Sequence, residues 1–393
     1  MPFLTTLDFT AIAVLLLPAV SLGYAYIVYP LLLWVMARFR RSRPAPADPQ
    51  RWPSITITVP AYNEARTIGA TLERLLTLDY PAERRQIIVI SDASTDGMDD
   101  VVSQFADRGI ELLRQPVRQG KSAAENAVYA HARGEIIVNI DATTIVWPSS
   151  LKALIREFSD PTVGVASGRD VSIGSDKESN QGESGYVGYE MWVRRLETEV
   201  HSIVGASGCF YGIRRQLYDP QFPLTLSRDF ASAILAREGG YRAVSAEAAT
   251  CGVLRTADLS SEFPRKVRTM KRGLQTLWYK RALLNPLRFG RFAFFLWSHK
   301  VARWAPYPLL LPAGAALVLL ATRHREFALL LALSLLVLAI GIMAMRWPVT
   351  SRPPRLVAIA GYAVGANAAG LMAWWQALQA GRGSAIWEPT RRN

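Results

Sequence analysis

Three polar turns stand in the central region of this 393-residue chain: Pro60-Ala61-Tyr62-Asn63-Glu64, Ser91-Asp92-Ala93-Ser94-Thr95-Asp96-Gly97 and Asp141-Ala142-Thr143-Thr144. Each follows a short β-branched run. Asp, Ser and Gly make turns and helix caps routinely, so one such turn is unremarkable. Three of them, all after strands, gather hydroxyl and carboxylate oxygens along one edge, where a ligand can be held. A second kind of pattern is ionic. Glu190, Arg194 and Glu197 recur at helical spacing on one face and are expected to form an ion-pair network. Arg265, Lys266, Arg268, Lys271, Arg272, Lys280 and Arg281 alternate with Val267, Met270, Leu274, Leu277 and Trp278. That spacing predicts an amphipathic helix lying in a bilayer interface, with most of its cations facing lipid headgroups.

The runs before the turns are the strands that must position them: Ile55 to Val59, Gln86 to Ile90, Glu111 to Leu113 and Glu135 to Ile140. Helical stretches separate them, over Ala65 to Leu78, Gly97 to Phe105 and Lys121 to Ala132. Alternation of strand and helix implies an α/β domain with a mostly parallel sheet covered on both faces, whose ligands bind at the carboxyl ends of the strands. No G-x-G-x-x-G follows the first strand, which disfavours a dinucleotide-binding dehydrogenase.

The ends of the chain are of a different kind. No charge occurs from Phe9 to Ala37, from Trp304 to Thr322, from Phe327 to Met345 or from Leu356 to Gly381. Each run is long enough to cross a hydrocarbon core, which takes roughly 20 helical residues. The first lacks a basic leader and a small-residue cleavage site, so it reads as a retained helix and not a signal peptide. Arg38, Arg40, Arg41 and Arg43 follow it, which places the central region on the cytoplasmic side. Three further crossings put the C-terminus outside, leaving Arg382, Arg391 and Arg392 on the less favoured side. The net charge of +13 is then read as basic loops beside anionic lipid, with no nucleic-acid partner. Only Cys209 and Cys251 occur, and no structural disulfide is expected in a cytoplasmic region.

From about Ser54 to Trp278 the ordered motifs resemble family 2 glycosyltransferases of the GT-A fold, the group that includes cellulose, hyaluronan and chitin-oligosaccharide synthases. The resemblance implies a nucleotide-sugar donor, most commonly UDP-linked. It assigns Pro60, Tyr62 and Glu64 to the border of the base and ribose, Asp92 to the base, and Lys121, in Gln119-Gly120-Lys121, to a segment closing over the nucleotide. Asp96 is explained equally well as a helix cap. The family's metal motif Asp-x-Asp reads Asp141-Ala142-Thr143 here, a carboxylate and a neutral hydroxyl for Mg²⁺ or Mn²⁺. Val204 to Arg215 looks like the glycine-rich acceptor-side strand, with Gly205, Ser207 and Gly208 letting a sugar approach the backbone. Ser227-Arg228-Asp229-Phe230 stands where the family places its general base, Asp229. Arg228 replaces an acidic neighbour there, and a cation beside Asp229 would make it a weaker base. Gln-x-x-Arg-Trp becomes Thr269-Met270-Lys271-Arg272-Gly273. Its arginine, Arg272, is implied to stabilise the departing diphosphate, and the lost Trp removes an acceptor platform.

The expected organisation is an N-terminal transmembrane helix (1–37), a linker (38–53), a GT-A domain (54–261), amphipathic interfacial helices (262–303), three transmembrane helices (304–381) and a tail (382–393). The expected protein is a multi-pass enzyme of the inner, cytoplasmic membrane. It transfers a sugar with inversion to a lipid-linked or growing exopolysaccharide acceptor. Two other readings are a processive β-glycan synthase that also secretes its polymer, and an inactive glycosyltransferase-like partner in a polysaccharide assembly.

Overall fold

The computed structural model describes residues 4–40, 46–173, 181–254, 259–347 and 354–379. Arg41, Arg43 and the tail arginines Arg382, Arg391 and Arg392, on which part of the topology expectation rests, lie outside them. The chain divides into two compact units. One gathers Leu33–Thr256 and Thr276–Ala293; the other gathers Met1–Leu32, Ala257–Gln275 and Phe294–Arg382.

In the first unit the described strands are β1 (Ile55–Ala61), β2 (Arg85–Ser91), β3 (Ile110–Arg114), β4 (Ile136–Ile140), β5 (Ile145–Val146), β6 (Val163–Ile173), β7 (Phe210–Arg214) and β8 (Arg242–Leu254). They form one sheet in the order β3-β2-β1-β4-β7-β6-β8-β5. Among the described residues the longer helices are α1 (Thr6–Arg38), α2 (Ile68–Leu76), α3 (Met98–Ser103), α4 (Lys121–Val128), α5 (Ser150–Arg156), α6 (Gln181–Val200), α7 (Arg228–Glu238), α8 (Leu259–Tyr279), α9 (Arg291–Trp304), α10 (Pro306–Ala321), α11 (Arg325–Met345) and α12 (Arg355–Leu378).

Both sheet faces are covered, and the two-residue period of a strand divides the core accordingly. Ile87 and Val89 of β2 join Ile57, Val59, Val138, Ile68 and Leu72 on one side. Ile88 and Ile90 join Ile137, Ala124 and Val128 on the other. Every residue of β1 is buried. Its two threonines are satisfied sideways, Thr56 Oγ1 donating to Gln86 Oε1 (2.7 Å) and Thr58 Oγ1 bonding Asn139 Oδ1 (2.9 Å), so burial leaves no hydroxyl unpaired.

The mostly parallel sheet expected from the sequence holds from β3 to β4, where β1 runs parallel to β2 and β4, and β2 to β3. Beyond β4 the sheet is mixed: β7 is antiparallel to β4 and β6, β6 and β8 are parallel, and β5 and β8 are antiparallel. The first four strands are short β-branched runs, which is why the sequence reveals them. Strands β6 and β8 carry Ala, Gly and Ser at many positions, residues of low strand propensity that are held there by burial. The expected strand over Val204 to Arg215 is likewise shorter, Phe210–Arg214. Gly205, Ser207 and Gly208 lie in the loop before it, because the Ala206 and Ser207 amides bond Asp229 O and Ser167 Oγ instead of a neighbouring strand.

In the second unit α1, α11 and α12 are each long and apolar enough to cross a membrane. The run Trp304 to Thr322, expected as one span, is the 16-residue helix α10, which reaches spanning length only together with α9 across a 47° bend. Pro306, with no N–H to give, stands at the break. Small residues set the close approach of α11 and α12: a Cβ on Gly341 would lie 2.3 Å from the Val364 side chain, and one on Gly361 2.6 Å from that of Ala344. Gly273, where the family resemblance expects Trp, is pressed by the ring of Trp304, which a Cβ would meet at 2.7 Å. An aromatic side chain there has no room.

Candidate active site

The turns after β1 and β2 are laced together. Asn63 Oδ1 accepts the Thr95 amide (2.8 Å), and the Asn63 amide donates to Ser94 Oγ (3.1 Å). Asp96 accepts from the Ala65 amide (2.9 Å) and from Met98 at the start of α3 (3.1 Å), so it is a cap shared by two loops. Asn63 (φ 53°) and Ala93 (φ 58°) take left-handed backbone conformations. Asn tolerates this region, whereas for Ala it costs roughly 1–2 kcal/mol. The ends of both strands thus hold local strain, as binding loops often do.

Among the expected nucleotide residues, Pro60 is buried within β1, and the half-buried ring of Tyr62 lies under the Arg118 guanidinium, 3.9 Å from its centroid. Arg118 was not singled out in the sequence; a stacked cation at the exposed end of a binding loop leaves no motif. Glu64 accepts from Thr67 Oγ1 (2.7 Å) and tightens the turn into α2. Asp92 is only 2% exposed. Its two oxygens accept the backbone amides of Gln119 (2.8 Å) and Gly120 (2.7 Å). In this structure Asp92 therefore fixes the loop that delivers Lys121, a positioning role added to the base contact expected of it. Gly120, at φ 89°, supplies the left-handed turn into α4.

Lys121 is the hub. Its Nζ donates to Asp141 Oδ1 and to the Gly208 carbonyl (3.0 Å), and lies 3.9 Å from Glu125 Oε1. Burial by itself would depress the ammonium's pKa, but the carboxylates of Asp141, Glu125 and Asp229 outweigh it and hold Lys121 charged, well above its ordinary value. Glu125, one turn along α4, escaped the sequence reading although its i,i+4 spacing from Lys121 was there to see. Burial pushes its carboxyl upward against the pull of Lys121 and Arg228.

The Arg228 side chain turns toward Glu125 and Asn126, not toward its sequence neighbour Asp229. It is buried, with Nε 3.7 Å from Glu125 Oε2, a hydrogen bond to Asn126 Oδ1 and another to the Asp219 carbonyl (2.9 Å). Its guanidinium lies over the rings of Tyr218 (4.5 Å) and Phe222 (5.0 Å). The Arg228 guanidinium is thus turned toward Glu125. Asp229 sits in the first turn of α7, where a carboxylate is favoured by the helix dipole. The Ser227 hydroxyl donates to its Oδ1, while Oδ2 lies against Gly208, 2.8 Å from where a Cβ would be. Glycine is required at 208 for that approach.

In the loop before β7, Gly205 is buried, and the Ser207 hydroxyl bonds both oxygens of Asp170 (2.7 and 2.9 Å). The Cys251 thiol faces the same carboxylate at 3.5 Å. Asp170 joins this group only through the pairing of β6 with β8, which sequence spacing does not show. Glu190 and Arg194 form the expected pair, 3.7 Å apart. Arg272 lies on α8, in the helical unit, and its proposed role comes from the resemblance.

Among the described residues no group of three or more His, Cys, Asp or Glu side chains is gathered to hold a metal ion. Asp141 and Thr143 nonetheless fit one kind of ion: hard, and completing its shell with phosphate oxygens and water. In this structure that carboxylate is paired with the Lys121 ammonium.

The description Glycosyl transferase family 2 matches residues 56–222. An N-acetylglucosaminyltransferase of Mesorhizobium japonicum is 32% identical over 133 residues, 32% of this chain and 31% of that protein. A β-monoglucosyldiacylglycerol synthase of Synechocystis sp. is 32% identical over 119 residues, 29% of this chain and 24% of that protein. The matched segment thus spans less than a third of either relative. A solved mannosyltransferase from Pyrobaculum calidifontis, in complex with GDP-Man and Mn²⁺, has the same fold, with a TM-score of 0.70, 24% identity and coverage of 95% of this chain and 99% of that one. Residues 56–222 of this chain thus match a glycosyl transferase family 2 domain, within a GT-A-like fold shared with the solved mannosyltransferase.

Proposed function

We propose that the protein is a membrane glycosyltransferase that moves a sugar, with inversion, from a nucleoside-diphosphate donor to a lipid-linked or growing exopolysaccharide acceptor at the cytoplasmic face of the inner membrane. The observation that carries the reading is the Lys121 ammonium, which bonds both Asp141 and the Gly208 carbonyl, with Asp229 Oδ2 standing 2.8 Å from where a Cβ on Gly208 would be. The groups assigned to the donor side and to the acceptor side thus adjoin at Lys121 and Gly208. Pro60, Tyr62, Glu64 and Asp92 border the nucleotide, Lys121 faces its diphosphate, and Gly205, Ser207 and Gly208 line the acceptor side. When bound, Mg²⁺ or Mn²⁺ on Asp141 and Thr143 supplies neutralisation of the leaving diphosphate.

The chain's own residues do the rest. Asp229, oriented by the Ser227 hydroxyl, takes the proton of the acceptor hydroxyl as that oxygen attacks the anomeric carbon. Lys121 and, by resemblance, Arg272 receive the negative charge left on the nucleotide. A uridine carrier is what the resemblance implies; the Pyrobaculum mannosyltransferase binds GDP-Man, so guanosine belongs in the same trial. The relative named for a glucosyldiacylglycerol product and three or four helices able to cross a bilayer support an acceptor carried in lipid. One displacement by one base inverts configuration. A donor linked α should give a β-linked product, read from the anomeric proton coupling by NMR; retention would contradict the single-displacement mechanism.

A further inference from the structure

We propose that the Lys121 ammonium is the built-in counter-ion of Asp141 and is exchanged for a divalent cation only when a donor diphosphate arrives, so that metal and donor enter the site as one unit. The proposal rests on the reading of Asp141 as a metal ligand. Lys121 is not a solvated surface lysine: its side chain is 19% exposed and that of Asp141 31%. It bonds the very oxygen, Asp141 Oδ1, that a cation would take. A divalent ion beside an unmoved ammonium meets like-charge repulsion at contact distance, in surroundings that screen poorly. Glu125 already shares the ammonium through Oε1 at 3.9 Å while its Oε2 faces Arg228, so it offers a displaced ammonium no additional charge. A diphosphate changes this balance. It offers the ammonium a new anionic partner within the swing of a flexible side chain, and it brings oxygens that complete the ion's shell.

The second bond of Lys121 gives the exchange a consequence on the acceptor side. Nζ holds the Gly208 carbonyl at 3.0 Å, and a Cβ on Gly208 would lie 2.8 Å from Asp229 Oδ2. When Lys121 leaves, the loop bearing Gly205, Ser207 and Gly208 loses that tether. Donor arrival is thereby transmitted to the groups that receive the acceptor.

The test is Mn²⁺ binding followed by electron paramagnetic resonance on the full-length chain purified in detergent, with and without UDP or GDP. The wild type should bind Mn²⁺ weakly alone and about tenfold or more tightly with a nucleoside diphosphate. Lys121→Met should raise the nucleotide-free affinity by about tenfold or more, the scale of removing one like charge at close range. Lys121→Arg, which keeps the charge, should stay weak. An unchanged or lower nucleotide-free affinity in Lys121→Met overturns the exchange. If that variant does not fold, the wild type decides alone: tight Mn²⁺ binding without nucleotide overturns it as well. Adding Asp141→Asn to Lys121→Met should abolish the gain. A gain that persists would show the ion to be elsewhere and would overturn the metal assignment together with the exchange.

Discussion

Asp229→Asn should lower sugar transfer about a hundredfold or more, the usual scale for loss of a general base, while nucleoside-diphosphate affinity stays within about twofold of wild type. The asymmetry follows from geometry. Asp229 takes the Ser227 hydroxyl on Oδ1, its Oδ2 faces the Gly208 backbone, and it acts on Lys121 as a charge. Asparagine keeps the shape of the side chain at the helix start, so the fold should not suffer. Steady-state turnover beside a calorimetric nucleotide titration separates the two effects. A variant with near wild-type turnover would mean that another group takes the proton.

The second large effect concerns Asp141. Chelation of divalent ions should abolish activity, and Asp141→Asn should reduce it about a hundredfold or more, on the scale of removing one electrostatic stabiliser of the leaving group. Thr143→Asp restores the family's second carboxylate and should tighten Mn²⁺ binding in the presence of nucleotide. Full activity in excess chelator would remove the metal from the account.

How far these residues could be read in advance depended on what kind of contact they make. Asp141, Asp229 and Lys121 stand in local motifs, after a strand or at the start of a helix, and their proposed roles come from the resemblance those motifs carry. Asp92 was singled out by the same resemblance, but its hydrogen bonds to Gln119 and Gly120 cross the sheet edge from β2 to the loop before α4, and no local pattern encodes them. Arg228 was read from its neighbour in sequence; its side chain instead follows the buried carboxylate of Glu125 and the faces of Tyr218 and Phe222. That choice is one of burial, since a guanidinium inside the fold needs partners. Asp170 and Arg118 are tertiary in origin altogether, one set by the β6–β8 register and the other by a stack on Tyr62.

The same division holds for the fold. Alternating β-branched runs announced β1 to β4, whose apolar character comes from burial on both faces. The mixed half of the sheet stayed hidden because Ala, Gly and Ser there are strand residues only by virtue of what covers them. In the helical unit, length and the absence of charge sufficed for α1, α11 and α12, while the bend between α9 and α10 turns on Pro306 and could not be placed by hydropathy.

The central claim, that this site releases a nucleoside diphosphate by passing its sugar to an acceptor, is tested most directly by supplying a panel of UDP- and GDP-linked sugars to the purified full-length chain with membrane lipids and Mn²⁺, and measuring the diphosphate released. The account predicts release from one carrier class, dependent on added lipid acceptor and lost in Asp229→Asn. Release that is equal in wild type and Asp229→Asn, or no release from any donor in a folded, nucleotide-binding preparation, would contradict it.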